Sequence, residues 1–301
     1  MLKKQGSGSL LLLLAAVIWG STFVAQSMGM DHIQPFTFQA IRSLMGTLAL
    51  MPLILFSDRA QRKKGAVKRP GEAKDLLIGG TLCGLVLFAA VNLQQFGLVN
   101  SSAGKAGFLT ALYIIIVPLY GLFLRHRVRP QVWVAVAVAA LGLYLLSVTE
   151  AFTVNSGDLL LILCAFAFAA QILVVDRFSV KVSGMKLCAL QFLVCGVLSL
   201  IAMFVFETPT LPGIRAAIGP LLYAGVLSSG VAYTLQIIGQ RTTAPAVASL
   251  LMSMESVFAV LAGMLVLGET LTLREGIGSA LMFFAIILAS FAASPQPAGE
   301  V

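Results

Sequence analysis

The residues best suited to chemistry in this sequence are polar side chains set within long apolar runs. Glu255 lies about 10 residues into one such run, which is roughly 15 Å along an α-helix. An acidic group at that depth could accept a proton or pair with the amine of a ligand. It could also form an ion pair with Arg42, or act as a hydrogen-bonded acid that caps a kink in a helix.

Other polar side chains share helical faces, because they recur at spacings of three, four or seven residues. Polar groups are costly in a bilayer, so they should face a cavity or a partner helix. The glutamines and Asn92 fit either ligand binding or hydrogen bonds between helices, and Trp19 fits either an aromatic-tolerant cavity or packing. The candidate ligand-binding residues are Trp19, Thr22, Asn92, Gln95, Thr110, Tyr113, Gln171, Tyr233, Gln236 and Glu255.

Two basic residues also lie in or beside apolar runs. Arg42 is about seven residues inside one run, roughly two helical turns, and Lys105 stands at the entry of another. Long basic side chains usually extend their charged groups toward the membrane surface, so this is the default interpretation for both. The alternative is a gate that attracts anionic or carboxylate groups.

The sequence contains little else that supports catalysis or metal binding. It has two histidines, and its four cysteines lie in apolar runs without a C-x-x-C motif. The motifs H-E-x-x-H, G-x-S-x-G and G-x-x-x-x-G-K-[ST] are absent. We therefore predict no catalytic residues, no metal site and no cofactor, and an enzyme is not expected.

The elements that hold these side chains must be membrane-spanning helices. Of the 301 residues, 59% are hydrophobic and 11% are charged, with a mean hydropathy of +0.98. Soluble domains carry about 25% charged residues, so a soluble globular protein is excluded. Ten apolar runs are long enough to cross a bilayer, at 9–29, 35–56, 76–98, 102–124, 130–149, 157–177, 184–206, 214–238, 244–267 and 272–293.

Basic residues indicate how these helices are oriented. Sixteen of the 20 Lys and Arg residues fall at one side of the predicted membrane, against Lys105, Arg215 and Arg274 at the other. The positive-inside rule therefore predicts a cytoplasmic N-terminus and a cytoplasmic C-terminus. The basic segment 57–75 is expected to lie against anionic lipid headgroups, and no nucleic-acid partner is expected.

An internal repeat divides the chain into two predicted units, 1–149 and 150–301, with five spans each. Leu93-Gln94-x-x-Gly97 recurs 142 residues later as Leu235-Gln236-x-x-Gly239, and Tyr113 and Glu255 become equivalent positions. Because five is odd, the second unit enters the membrane in the opposite sense. An all-α fold of ten helices in a 5+5 inverted-topology repeat is typical of secondary transporters, which bind substrate near the midplane between the repeats.

Three stretches carry a family resemblance. They are Ala16-Val-Ile-Trp-Gly-Ser-Thr-Phe23, Ala103-Gly-Lys-Ala-Gly-Phe-Leu-Thr110 and the segment from Glu255 through Leu267-Gly-Glu-Thr270. The chain resembles the drug/metabolite transporter superfamily, in its ten-span branch with two EamA units. The resemblance implies a multi-pass protein of a bacterial inner membrane. Ser256 departs from the pattern, since many relatives carry Pro there.

We therefore expect a secondary transporter that exports amino acids or similar small metabolites by alternating access, with Glu255 as the candidate for proton coupling. A multidrug, nucleoside or sugar exporter is the alternative within the superfamily, and a channel or an intramembrane enzyme is the alternative of another class. A homodimer is left open by small residues four apart, such as Ala259 and Gly263.

Overall fold

The structure is a computed structural model that describes residues 2–63, 70–101, 103–124, 128–147, 155–267 and 272–292. Within these ranges the chain is helical and contains no strand, which confirms the predicted fold class. Eight stretches are long and apolar enough to cross a bilayer, and Pro130–Leu146 is a shorter apolar helix. The count of ten spanning helices therefore stays a prediction.

We label the helices in chain order. Five continuous helices lie before residue 180: α1 (Leu2–Met30), α2 (Pro35–Lys63), α3 (Glu72–Val99), α5 (Pro130–Ser147) and α6 (Ser156–Ser179). Two more are continuous later, α7 (Gly184–Phe206) and α10 (Leu273–Ala292). The other three are interrupted: α4 (Ala103–Ala111 and Tyr113–Phe123), α8 (Leu211–Ala216, Ile218–Leu222, Tyr223–Ala232 and Tyr233–Gln240) and α9 (Pro245–Met252 and Glu255–Leu267).

Some sequence predictions fall outside the described residues. These are the boundary between the two units at 149/150, the break at 268–271, and five basic residues used for the orientation, namely Lys64, Lys68, Arg69, Arg125 and Arg127. The side chains of Lys3, Lys4 and Arg62 are likewise not described.

The interruptions in α4 and α9 occupy equivalent positions. Helix α4 breaks at Leu112 and α9 at Ser253 and Met254, and Met254 lies 142 residues after Leu112. In α9 the hydroxyl groups of Ser249 and Ser253 donate to carbonyls three residues earlier, at 2.9 and 2.8 Å, which competes with the regular ladder. Discontinuous helices at membrane depth are typical of transporter binding sites.

Helix α8 widens into a π-helix over Tyr223–Ala232. Close packing against α2 accompanies this segment, since a Cβ at Gly46 would lie 2.6 Å from the Cβ of Ser229. Runs of π-helix are rare and often occur at functional sites. Here the π-helix brings Ser228 and Ser229 next to the middle of α2.

Helices α2 and α7 form an antiparallel pair tied at both ends. At one end the Lys186 ammonium pairs with the Asp58 carboxylate at 2.7 Å. At the other, the Glu207 carboxylate accepts hydrogen bonds from the Thr37 amide and hydroxyl, each at 2.7 Å. Asp58 and Glu207 are 149 residues apart, and so are Thr37 and Lys186. The residues that meet at one end of the pair are therefore the repeat equivalents of those that meet at the other end.

The outer surface of the bundle is apolar. Large side chains such as Leu48, Phe56, Phe123, Phe204 and Leu265 are 67–87% exposed. Exposed apolar area on this scale fits contact with lipid tails. The polar side chains predicted at membrane depth are instead turned inward, where α1, α2, α3, α4, α6, α8 and α9 surround a central cavity.

Candidate functional site

The central cavity encloses about 40 Å³ of free space, enough for a few water molecules. Side chains from both halves of the chain line it: Trp19, Thr22, Phe23, Gln26, Arg42, Gln94, Thr110, Tyr113, Phe168, Gln171, Ile172, Ser228, Tyr233, Gln236, Met252 and Glu255.

Much of this lining is built from equivalent residues of the two halves. Three pairs are separated by the 142-residue offset of the repeat, and the pattern Phe-x-x-Gln at Phe23 recurs at Phe168, 145 residues later. The five equivalent pairs in the lining are Phe23/Phe168, Gln26/Gln171, Gln94/Gln236, Thr110/Met252 and Tyr113/Glu255. The cavity therefore surrounds the axis that relates the halves, as expected for a binding site at a repeat interface.

Tyr113 and Glu255 meet at the helix breaks. Each is the first residue after the interruption in its helix, and the Tyr113 hydroxyl donates to the Glu255 carboxyl at 3.0 Å. Both side chains are buried. Among the described residues no Lys, Arg or His lies within 4.0 Å of Glu255, so the ion pair with Arg42 considered above is not formed.

Arg42 faces the cavity and is 3% exposed, so it does not extend toward the membrane surface. Its guanidinium donates to the side-chain oxygen of Gln26 (Oε1), to the Ser229 hydroxyl at 3.3 Å and to the Ser228 hydroxyl at 3.4 Å. All three partners are neutral, and no carboxylate of the described residues lies within 4.0 Å. The guanidinium is held in place without being neutralised.

A chain of glutamines forms the opposite wall. The Gln236 side-chain amide donates to Gln171 Oε1 at 3.1 Å, and the Gln171 side-chain amide donates to Gln191 Oε1 at 3.4 Å. Gln191 is the α7 counterpart of Arg42 at the 149-residue offset, so the contact Gln171–Gln191 mirrors Gln26–Arg42. The repeat thus preserves the contact but places a basic group in the first half only.

Aromatic rings complete the wall between these polar groups. The Trp19 ring packs edge-on against the Tyr233 ring, with centroids 4.8 Å apart. The Phe192 ring also packs edge-on against Tyr233, with centroids 4.9 Å apart. The Trp19 Nε1 and Gln236 Oε1 atoms are buried without a hydrogen-bond partner in the described structure. Buried polar atoms normally find partners, so both are available to a ligand or to water.

Three predicted site residues lie outside the cavity lining. Asn92 donates to the Ser199 hydroxyl at 3.2 Å, and Gln95 accepts from Gln39 at 3.0 Å, so both join helices. Lys105 forms an ion pair with Asp158 at 2.6 Å. The remaining predicted residues, Trp19, Thr22, Thr110, Tyr113, Gln171, Tyr233, Gln236, Glu255 and Arg42, all line the cavity.

Several lining residues were missed from the sequence. Gln94 faces the cavity, where it donates to Thr110 at 3.3 Å, whereas its neighbour Gln95 does not. The repeat motif already made Gln94 the counterpart of Gln236 and could have found it. The recurring Phe-x-x-Gln pattern could have found Gln26 and Phe168. No comparable signal existed for Ser228, because the π-helix changes which residues face inward.

The lining of the cavity offers groups that can bind a ligand. Among the described residues no group of three or more His, Cys, Asp or Glu side chains could hold a metal ion. One acidic and one basic group face a single cavity, with amide, hydroxyl and indole groups between them. Such a lining can orient a ligand that carries both charges.

Comparisons with known proteins agree on a transporter. The model of the EamA-like transporter family matches residues 6–148 and 155–291. An uncharacterized transporter of Archaeoglobus fulgidus is 31% identical, with 93% of this chain and 84% of the relative covered. The uncharacterized inner membrane transporter YedA of Escherichia coli is 26% identical, with 95% and 91% covered, and the Bacillus subtilis transporter YoaV is 25% identical, with 91% and 94% covered.

The fold is also found among solved structures. A crystal structure of another protein, 20% identical in sequence, superposes with a TM-score of 0.74 over 96% of this chain and 98% of that one. At that identity the likeness concerns the fold alone.

Proposed function

Because this chain belongs to the EamA-like transporter family and is a multi-pass membrane transporter, we propose that it exports small zwitterionic metabolites, amino acids first among them. Export would proceed by alternating access of its two inverted halves around the central cavity. The single observation that carries the substrate class is the pair Arg42 and Glu255. They face one cavity from opposite halves, and neither has an oppositely charged partner among the described residues.

A zwitterion would supply both missing partners. Its carboxylate fits the Arg42 guanidinium, which recognises planar oxyanions through several N–H groups. Its ammonium group fits the Glu255 carboxyl, which Tyr113 holds in place. A buried charge without a partner is costly, so ligands that pair with both groups should be preferred over those that pair with one.

The rest of the lining would receive the side chain of the substrate. Phe23, Phe168, Ile172 and Met252 offer apolar surface, and Trp19 adds an indole ring. The flexible Met252 side chain can adapt to substrate side chains of different shape, which fits several related amino acids better than one. Sugars or nucleosides are the second candidate, because the unpaired Trp19 Nε1 and Gln236 Oε1 suit hydroxyl groups, but they would leave Arg42 and Glu255 unmatched.

Glu255 is also our proposed site of proton coupling. A carboxyl group that binds either a proton or the substrate ammonium, but not both, makes entry of one depend on release of the other. The cellular location that we propose is the bacterial inner membrane with both termini in the cytoplasm. The asymmetry of 16 basic residues against three supports this orientation.

Counterflow in proteoliposomes tests the proposed function. Vesicles loaded with an unlabelled amino-acid mixture should accumulate external labelled amino acids transiently and saturably, and empty vesicles should not. Vesicles that contain the Arg42→Met variant are the matched control, because the charge that binds the carboxylate is lost. Counterflow of sugars or nucleosides without counterflow of amino acids would overturn the proposed substrate class, and linear, unsaturable flux would indicate a channel.

A further inference from the structure

Helix ends from opposite halves meet closely at both ends of the bundle. Where α3 ends and α6 begins, a Cβ at Gly157 would lie 2.8 Å from the Gly97 carbonyl oxygen, and one at Gly97 would lie 2.9 Å from that of Gly157. Where α8 ends and α1 begins, Gly239 and Gly8 show the same reciprocal contact at 2.9 and 3.0 Å. The main chains therefore touch with no space for side chains between them.

These two contacts occupy similar places in the two halves. Gly97 and Gly239 are 142 residues apart in the repeat, and α1 and α6 are the first helices of their halves. Because successive helices alternate in direction, the end of α3 and the end of α8 lie at opposite faces of the membrane. The cavity thus lies between two equivalent constrictions, and opening one of them would expose it to one side only.

The two constrictions differ in charge. At the α3–α6 end the Lys105 ammonium contacts the Asp158 carboxylate at 2.6 Å, and the Ser101 hydroxyl contacts the same carboxylate at 3.4 Å. Asn155 adds a bond to the Asn100 carbonyl at 2.9 Å. At the α1–α8 end the Lys105 position is taken by Val247, which carries no charge.

We propose that the Lys105–Asp158 ion pair is the latch of the gate at the α3–α6 end, which the predicted orientation places at the outer face. It joins α4 of the first half to α6 of the second, directly beside the contact that must separate for the cavity to open outward. Because it must break before the cavity can open outward, this ion pair disfavours the outward-open state.

Burial makes this ion pair effective. The Asp158 side chain is 1% exposed and that of Lys105 is 19% exposed, so removal of one partner leaves a buried charge unpaired. Asp158 also accepts a hydrogen bond from the Asn155 amide in the capping box of α6. Lys105 has no part in that cap, so Lys105→Met removes the latch and leaves the helix start intact.

Thiol accessibility tests the latch without any substrate. In a chain without its native cysteines, Met252→Cys places one thiol in the cavity, and intact cells are treated with a membrane-impermeant methanethiosulfonate reagent. We expect Lys105→Met to raise the labelling rate about tenfold, which is the effect of a shift of about 1.4 kcal/mol in the opening equilibrium. Lys105→Arg keeps the positive charge opposite Asp158 and should retain slow labelling.

Lys186→Met is the matched control, because it breaks another described ion pair between the halves, Lys186–Asp58, at the opposite face of the bundle. Its labelling rate should not exceed that of the parent chain. Equal rates for Lys105→Met and its parent, with full labelling of both after unfolding in detergent, would overturn the latch. This experiment is independent of counterflow: faster labelling without amino-acid flux would support the latch and reject the proposed substrate.

Discussion

Tyr113 and Glu255 hold equivalent positions in the two halves of the chain and are hydrogen bonded to each other at 3.0 Å. Two equivalent residues can touch only if both lie near the axis that relates the halves. Among the described lining residues, the acidic group of Glu255 is thus placed at the symmetric centre of the cavity, within reach of both halves.

The variant Glu255→Gln should abolish proton-driven export while leaving the fold intact. Gln has the shape of Glu and can still accept a hydrogen bond from Tyr113, but it cannot bind and release a proton. Flux into proteoliposomes should therefore lose its dependence on an imposed pH gradient. Glu207→Gln, at a carboxylate outside the cavity, is the control and should keep that dependence. Gradient-driven flux that survives in Glu255→Gln would refute the coupling role.

The variant Arg42→Lys should weaken binding of carboxylate-bearing substrates by about tenfold to a hundredfold. The guanidinium contacts Gln26, Ser228 and Ser229 together, and a lysine ammonium lacks the planar arrangement of donors needed to do so. Hydrogen bonds to charged groups contribute about 1.5–3 kcal/mol each, which sets this range. Competition of labelled amino acid with the matching amine, which lacks the carboxylate, measures the effect. Equal losses for both competitors would argue against carboxylate recognition by Arg42.

The neighbouring glutamines of α3 should respond differently to truncation. Gln94→Ala removes a cavity residue and should raise the apparent KM severalfold, as should Gln236→Ala at the equivalent position. Gln95→Ala removes the acceptor of the Gln39 amide outside the cavity. It should lower the melting temperature in detergent without changing substrate preference, because a lost buried hydrogen bond costs about 1–3 kcal/mol. A change in preference caused by Gln95→Ala would contradict the assignment of the lining.

The variant Gly20→Ala should destabilise the bundle by about 1–3 kcal/mol, the usual effect of overpacking. A Cβ at Gly20 would lie 2.6 Å from the Glu255 carbonyl oxygen, where α1 crosses the second segment of α9. Gly219→Ala provides the control, since no atom lies within 4 Å of a Cβ there. Thermal unfolding in detergent should show a lower midpoint for the first variant only. Equal midpoints would mean that α1 and α9 have room to separate.

The helices and most of the site could be predicted because both follow from the chemistry of a bilayer. Apolar runs of about 20 residues determine the spans, and residues such as Glu255, Gln171 and Tyr233 are too polar to face lipid. The orientation of α3 could not be predicted in the same way. Its exposed face is apolar and its buried face carries Asn92, Gln94 and Gln95, so the polar residues alone do not say which one reaches the cavity.

Other parts of the site depend on contacts between distant segments. The π-helix of α8 breaks the 3.6-residue periodicity on which face assignments rest, so Ser228 gave no signal. The ion pair Lys105–Asp158 joins helices from different halves across 53 positions. Lys105 was considered as a gate residue from its place at a helix entry, but its partner could be found only in the folded chain.

The surroundings of Arg42 have a consequence for biosynthesis. Gln26 precedes it by 16 positions, whereas Ser228 and Ser229 follow it by 186 and 187. At about 5–20 residues per second, the ribosome reaches these serines roughly 10 to 40 s after Arg42. Of the three described partners of Arg42, Gln26 alone is already synthesised during that interval, so the site around Arg42 is completed only after the second half of the chain is made.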